Sequence, residues 1–194
     1  MSNKIQNIKN FLNISNKGFS LVELLVVTIV IAMISSIVFI DYRRGQERVV
    51  LQRSIHRLAQ DIRRTQELTM RAEDFRGSVS RGGFGVRFES NTSSYVLFAD
   101  CDNDRFFDAT GNTLRTCATS TTTDPFPEKL EMRTLEEGVI INSTPSPANI
   151  VFIPPDPAVR INNRNDITNV IITLSIGNYT GTITVYNSGL IAIE

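Results

Sequence analysis

Histidine and cysteine are scarce in this chain and tryptophan is missing: one His, two Cys and no Trp among 194 residues. Structural zinc sites take about four Cys or His ligands and catalytic ones about three protein ligands, so this inventory excludes most zinc chemistry. The single histidine, His56, stands in a charged stretch and reads as a solvated surface side chain rather than a general base. The sequence has no Gly-rich phosphate loop, no G-x-S-x-G elbow and no Cys-x-x-Cys pair. The expectation is therefore a protein that is not an enzyme. Net charge is also lacking, with 20 basic residues against 20 acidic ones, so charge balance names no partner. The length suits one modest domain plus an appendage. Ser, Thr and Asn are abundant after Gly77, which fits a β-rich domain with polar loops better than a disordered tail.

What the chain does have is one long apolar run. From Leu24 to Ile40 no residue is charged, and only Thr28, Ser35 and Ser36 are polar. With Phe19 to Glu23 added, the run reaches about 20 residues, enough at roughly 1.5 Å per residue to cross a hydrocarbon core of about 30 Å. Lys4, Lys9 and Lys17 precede it, which by the positive-inside rule puts the N-terminus in the cytoplasm; Arg43, Arg44 and Arg48 on the far side oppose that assignment. A secretory signal peptide would need a shorter apolar region and a small-x-small cleavage site, and Phe39-Ile-Asp-Tyr-Arg-Arg44 offers none. A plain anchor leaves Glu23 unexplained, because a carboxylate in lipid costs about 3 kcal/mol or more.

The stretch Lys17-Gly-Phe-Ser-Leu-Val-Glu23 resembles the class III signal of type IV prepilins and type II secretion pseudopilins. That signal is a basic leader ending in Gly, then a hydrophobic residue, with Glu as the fifth residue of the mature chain. The resemblance implies a leader of residues 1–18, removed on the cytoplasmic face by a prepilin peptidase that cuts between Gly18 and Phe19 and N-methylates Phe19. It also implies that residues 19–40 are retained as a transmembrane and filament-core helix. The implied partners are other pilins or pseudopilins, their assembly platform and the cytoplasmic membrane, with the head extracytoplasmic. Glu23 then has a purpose, since the ammonium of Phe19 on a neighbouring subunit can neutralise it during assembly. Family members often carry Pro at the twenty-second mature residue; here Ile40 stands there, and Gly45 is the nearest residue able to loosen the helix.

Beyond the run, Leu51, Ile55, Leu58, Ile62, Thr65, Thr69 and Ala72 recur at steps of four and three, the stripe of an amphipathic helix. Residues 41–76 are thus expected to form an amphipathic stalk helix, fraying near Phe75-Arg-Gly77, with Arg81-Gly-Gly-Phe-Gly85 as a turn. Ten Arg face six acids between Asp41 and Arg81, which reads as a solvated helix face with local ion pairs. Residues 77–194 are expected to form a β-rich head. Short β-branched runs mark strands at 84–89, 95–99, 130–133, 139–142, 150–153, 170–176, 182–186 and 190–193, the last three as an antiparallel meander. The expected fold class is α+β, with the stalk stripe packed on an antiparallel β-sheet. Helix followed by sheet, Tyr95-Val-Leu-Phe-Ala-Asp100 leading into an acidic loop, and the Val-Tyr-Asn-Ser-Gly-Leu-Ile ending are similar to GspH/FimT-type minor pilins and pseudopilins.

Within the head, Asp100, Asp102, Asp104 and Asp108 fall at the first, third, fifth and ninth places of a loop, the oxygen-ligand spacing of a calcium site. Arg105 stands where a sharp turn wants Gly, and Gly111 where a bidentate Glu is expected, so an Asx turn without metal is the alternative. Cys101 and Cys117 are candidates for a disulfide if the head is extracytoplasmic; two buried thiols are the alternative. Arg160 and Arg164 lie in a segment that could touch DNA, the binding-class alternative to a filament subunit. The C-terminus, Ser188-Gly-Leu-Ile-Ala-Ile-Glu194, is neither basic nor aromatic.

Overall fold

The computed structural model describes residues 18–108, 128–155 and 158–194. Among the described residues one helix, α1 (Leu21–Met70), is followed by eleven short strands. The chain divides into two compact units, Met1–Arg44 and Gly45–Glu194, and α1 contributes to both.

In the first unit the helix is apolar all round. Leu21, Val22, Leu24, Leu25 and the aliphatic side chains through Ile34 are exposed, Leu21 at 80% and the least exposed, Ile29, at 47%. The hydroxyls of Thr28 and Ser36 donate to the carbonyls of Leu25 and Met33, both at 2.8 Å, so these polar groups are satisfied within the helix. Among the described residues no helix is long and apolar enough to cross a membrane. The described side chains here end at Ser36, so the span of residues 19–40 expected from the sequence continues past them.

The second unit is a helix held between two antiparallel sheets. Strands β3 (Gly83–Phe88), β4 (Ser94–Asp100), β5 (Lys129–Thr134), β7 (Ala148–Phe152) and β8 (Val159–Ile161) form a sheet of order β5-β4-β3-β7-β8. Strands β6 (Ile140–Thr144), β9 (Asn169–Ile176), β10 (Tyr179–Tyr186) and β11 (Ile191–Ile193) form the other, of order β11-β10-β9-β6. The expected C-terminal meander is present as β9-β10-β11, with Val170, Ile172 and Leu174 buried on one face. The core joins Leu51, Ile55, Leu58 and Ile62 of the helix to both sheets, through Val86 and Ile150 on one and Ile172 and Ile183 on the other.

Two backbone links join the sheets. The β3–β4 turn bonds to β6, with Asn91 N–H donating to Ile141 O at 2.8 Å and Ile141 N–H to Thr92 O at 2.7 Å. At the other end Val159 N–H donates to Asn187 O at 2.9 Å, tying β8 to the β10–β11 turn. The remaining edges, β5 and β11, belong to different sheets.

The two threonines of the helix stripe are bonded, whereas Ser54, buried beside it, has no hydrogen-bond partner among the described residues. Thr65 Oγ1 donates to Asp61 O at 2.8 Å and Thr69 Oγ1 to Thr65 O at 3.1 Å, while Thr69 Oγ1 also accepts the Phe84 N–H at the start of β3. Asp61, buried on the helix, accepts a 2.5 Å hydrogen bond from Tyr95 Oη on β4, and Arg133 Nε of β5 stands 3.7 Å from the same carboxylate oxygen. Burial, and then the hydrogen bond and charge of Asp61, push the Tyr95 phenol far above its ordinary pKa, so it remains a donor.

Three local expectations are corrected. The helix ends at Met70, not near 76, and the stripe residue Ala72 is exposed at φ 49°. Glu73 N–H donates to Leu68 O and Ala72 N–H to Thr69 O, the bond pair of a Schellman motif with Ala in the left-handed position usually held by Gly. Next, β1 (Asp74–Phe75) and β2 (Ser78–Val79) form a hairpin whose loop residues, Arg76 and Gly77, both have positive φ, as a tight primed turn requires. Finally, the strand expected at 84–89 is present but begins at Gly83, inside the stretch 81–85 expected to turn; a Cβ on Gly85 would meet the Phe98 ring at 2.5 Å, so that glycine clears space for an aromatic.

Ala72→Gly is expected to stabilise the protein by about 1 kcal/mol, relieving a left-handed penalty of about 1–2 kcal/mol; thermal unfolding checks it at roughly 2–4 °C per kcal/mol. Tyr95→Phe is expected to cost about 1–3 kcal/mol, because a buried carboxylate loses its donor. Denaturant titration should show that loss as a lower midpoint with an unchanged slope.

Candidate functional site

Two places carry the chemistry read from the sequence, one in each unit. At the N-terminal place, Gly18, Phe19 and Ser20 precede the helix, with Phe19 81% exposed. Ser20 O accepts the Leu24 N–H at 3.1 Å, which makes Ser20 the N-cap of α1, and Glu23 lies in the first turn. Ser20-Leu-Val-Glu23 therefore has the spacing of a capping box, a signal present in the sequence and passed over there. A carboxylate in the first turn also faces the positive end of the helix dipole, worth about 0.3–1 kcal/mol. The helix thus begins two residues past the expected cut, and Glu23 stands in the first turn, where unpaired N–H groups concentrate positive potential.

The second place is the acidic loop after β4. Asp100 is fully buried, its Oδ1 accepting the Asn103 N–H at 2.7 Å and its Oδ2 the Arg105 N–H at 3.0 Å. Asp102 Oδ1 accepts the Asp104 N–H at 3.1 Å, and Asp104 Oδ1 the Phe106 N–H at 2.7 Å. These are the Asx turns expected as the metal-free alternative. Ser80 Oγ donates to Gly83 O at 2.7 Å and to the carbonyl of Asp100. Gly82 is required here, since a Cβ on it would fall 2.0 Å from the Asp100 carboxylate. Arg105 takes φ 68° without being glycine, so the sharp turn at the sixth place forms after all.

Carboxylate oxygens of Asp100, Asp102 and Asp104 lie within 4.8 Å of one another; Asp108 is not in that group. Its N–H donates instead to Glu128 Oε2 at 3.0 Å, while Glu128 Oε1 accepts the Cys101 N–H at 3.0 Å. Glu128 is a buried acid of this site that the sequence did not reveal, because it comes 20 residues after Asp108 and no motif marks it. Burial pushes Glu128 up to about 7 and Asp100 up to about 6, with backbone N–H donors opposing the rise and neighbouring Asp charges adding to it. Burial raises Asp104 as well. Three clustered carboxylates offer the hard oxygen donors that Ca²⁺ takes, and each Asp100 oxygen retains a lone pair beyond its N–H contact.

Cys101 is disulfide-bonded; Cys117, the one other cysteine of the chain, lies outside the described residues. Arg164 pairs with Asp166 through Nε at 3.0 Å and Nη2 at 2.7 Å, and Arg160 bonds Asn165. Both arginines proposed for DNA contact thus have partners within their own loop. His56 is exposed on the helix, and the described residues place no acid or nucleophile on it by hydrogen bond or ion pair.

Residues 14–39 match the family model described as the prokaryotic N-terminal methylation motif. This stretch contains Gly18, Phe19, Glu23 and most of the apolar run. The match supports a type IV pilin-like protein, a substrate of prepilin peptidase that is anchored in a membrane and assembles with other pilins, which is a structural class rather than an enzymatic one. No curated protein and no solved structure matches the chain.

A pH dependence follows from the acidic loop. Asp100 and Glu128 have folded-state values above those of an unfolded chain, so the folded state holds more protons between about pH 4 and pH 7. The stability they contribute is complete below their unfolded values and is lost as pH rises through about 6 and about 7. In the presence of a chelator, the melting temperature should fall by several degrees between about pH 5 and 8, and Glu128→Gln should flatten that decline.

Proposed function

We propose that this chain is a minor pilin or pseudopilin subunit of the GspH/FimT type. It is cut between Gly18 and Phe19, methylated on the new amine, and held by residues 19–40 in the cytoplasmic membrane with its head outside. It is then incorporated into a type IV pilus or a type II secretion pseudopilus. The observation that carries this reading is a coincidence of place: the methylation motif at residues 14–39 overlies the start of a helix whose aliphatic side chains from Leu21 to Ile34 are all uncovered. A helix apolar on every side needs lipid or other helices around it. The disulfide at Cys101 fits a head in an oxidising compartment, and Cys117 is its partner in this reading.

Glu23 acts as a register device. Its carboxylate is tolerated in an apolar filament core only when the Phe19 ammonium of a neighbouring subunit meets it. Removing one half of such a buried pair costs about 3–5 kcal/mol. Within the same reading the acidic loop holds a structural calcium ion, supported by the clustering of Asp100, Asp102 and Asp104. Excess Ca²⁺ should then raise the melting temperature by several degrees over chelator, an effect that Asp102→Asn removes.

Co-expression with a prepilin peptidase tests the proposal directly. The mature protein should begin at N-methylated Phe19, Gly18→Ala should retain residues 1–18, and Glu23→Ala should be cleaved yet enter filaments at least about tenfold less, since about 1.4 kcal/mol is already a factor of ten. An intact leader in the wild-type protein, or full incorporation of Glu23→Ala, would overturn it.

A further inference from the structure

The edge of β11 is unlike every other edge in the Gly45–Glu194 unit. Its register pairs Ile193 with Ile183, Ala192 with Thr184 and Ile191 with Val185. Thr182 and Glu194 exchange both N–H···O bonds at 2.9 Å, and Tyr186 N–H donates to Leu190 O at 2.9 Å. Because hydrogen-bonded and non-bonded pairs alternate along an antiparallel ladder, positions 190, 192 and 194 bond inward to β10. The N–H and C=O of Ile191 and Ile193 therefore point out of the sheet, and among the described residues no backbone group outside the sheet meets them.

Space is present where those groups point. An opening of about 490 Å³ lies between α1 and Ile191, bordered by Arg63, Met70, Arg71 and Leu190. Another of about 320 Å³ lies between α1 and Ile193, bordered by Arg48, Leu51, Ile55 and His56. Leu190 is 61% exposed and Met70 and Ile193 are also exposed, so the floor is apolar. Its rim is basic. Arg63 has no carboxylate partner among the described residues, and Arg71 pairs with exposed Glu67 at a loose 3.9 Å. Glu67 and Glu194 are the acids bordering the two openings. Asp61, the remaining acid between Arg48 and Glu67, is buried against Tyr95.

The opposite edge is protected in ways this one is not. Strand β5 carries Lys129, is paired through a bulge at Leu97/Phe98, and is tied to the helix by Arg133 to Asp61 and Glu131 to Arg64. Charges and bulges are the usual guards against strand addition. The sequence of β11, Ile-Ala-Ile, has none.

We propose that the outer edge of β11, with the openings between it and α1, is a docking groove for an extended segment of a partner protein in which apolar and acidic residues alternate. The backbone of that segment adds a strand through Ile191 and Ile193. Its apolar side chains cover Leu190 and Met70, and its acidic ones meet Arg63 and Arg48 at the rim. The inference rests on the Gly45–Glu194 unit and is independent of the filament reading.

Full-length protein in detergent micelles, titrated with an acetylated octapeptide of alternating Val and Asp, tests this. Binding should slow amide exchange at Ile191 and Ile193, and a Val/Lys peptide should bind at least about tenfold more weakly, as should the Val/Asp peptide to Arg63→Glu. Ile193→Pro removes an outward N–H while leaving the ladder to β10 intact, and should have the same effect on binding at an unchanged melting temperature. If that variant unfolds, the exchange pattern and Arg63→Glu decide. Absent binding, equal binding of both peptides, or unchanged exchange at Ile191 and Ile193 overturns the proposal. Self-association of the protein alone that Ile193→Pro abolishes overturns it too, assigning the edge to a second copy.

Discussion

One constraint governs this protein: α1 carries more apolar surface than its own chain can cover. In the Gly45–Glu194 unit the stripe of Leu51, Ile55, Leu58 and Ile62 is buried, none of its members more than 6% exposed. In the Met1–Arg44 unit, the aliphatic side chains from Leu21 to Ile34 are all open. Full burial of such a side chain is worth about 1.5–3 kcal/mol. The run therefore withholds tens of kcal/mol that only lipid or other apolar helices can supply, on the order of ten side chains at that rate. Charge enters the sequence where the requirement changes, at Asp41, Arg43 and Arg44, next to the boundary between the units. The sequence of α1 thus changes from largely apolar to striped beside that boundary.

Polar groups inside the head are placed where they fix geometry. A purely apolar stripe would let the helix slide or rotate against the sheets at little cost. Asp61 prevents this, because its carboxylate needs the Tyr95 hydroxyl and Arg133 together, and a shift of one residue would strand a buried charge. Thr69 adds a second fixed point by accepting the first strand N–H of β3. The acidic loop follows the same logic with less success: Asp100 and Glu128 are each satisfied by two backbone N–H groups, yet burial still drives both toward the protonated form.

Periodicity carried the legible part of the fold. The steps of four and three from Leu51 to Thr69 and the alternation from Val170 to Leu174 report burial directly, and both held in the structure. Local strand propensity could not say that the strands divide into two sheets, because that division depends on pairings across long stretches of chain, such as β3 with β7 and β6 with β9. It also missed β8, three residues long, and the β1–β2 hairpin, whose turn uses Arg76 where glycine or asparagine is the usual signal. Ala72 misled for a related reason: it fits the helical period, yet it takes the left-handed cap that the Leu68 and Thr69 carbonyls need. At the candidate sites, sequence spacing singled out Gly18, Phe19 and Glu23, which stand at the start of α1, and four Asp residues, of which Asp100, Asp102 and Asp104 lie together. Glu128 was invisible, since its role depends on where β5 begins relative to the end of β4.

The free edges cost the head little. Links at β6 and β8 join the sheets, but β6 bonds the β3–β4 turn and β8 the β10–β11 turn, so the outward groups of Ile191 and Ile193 stay unpaired by either strand. Four backbone groups on an exposed edge lose little, because water replaces the missing partners at a net cost of about 0.5–1.5 kcal/mol per bond. Four buried aliphatic side chains of the stripe gain several times that. Burying the stripe against both sheets therefore outweighs leaving those groups to water. On the β5 side, where Arg133 and Glu131 reach Asp61 and Arg64, ion pairs join the strand to the helix. On the β11 side no ion pair among the described residues joins the strand to the helix, and the openings beside Ile191 and Ile193 persist.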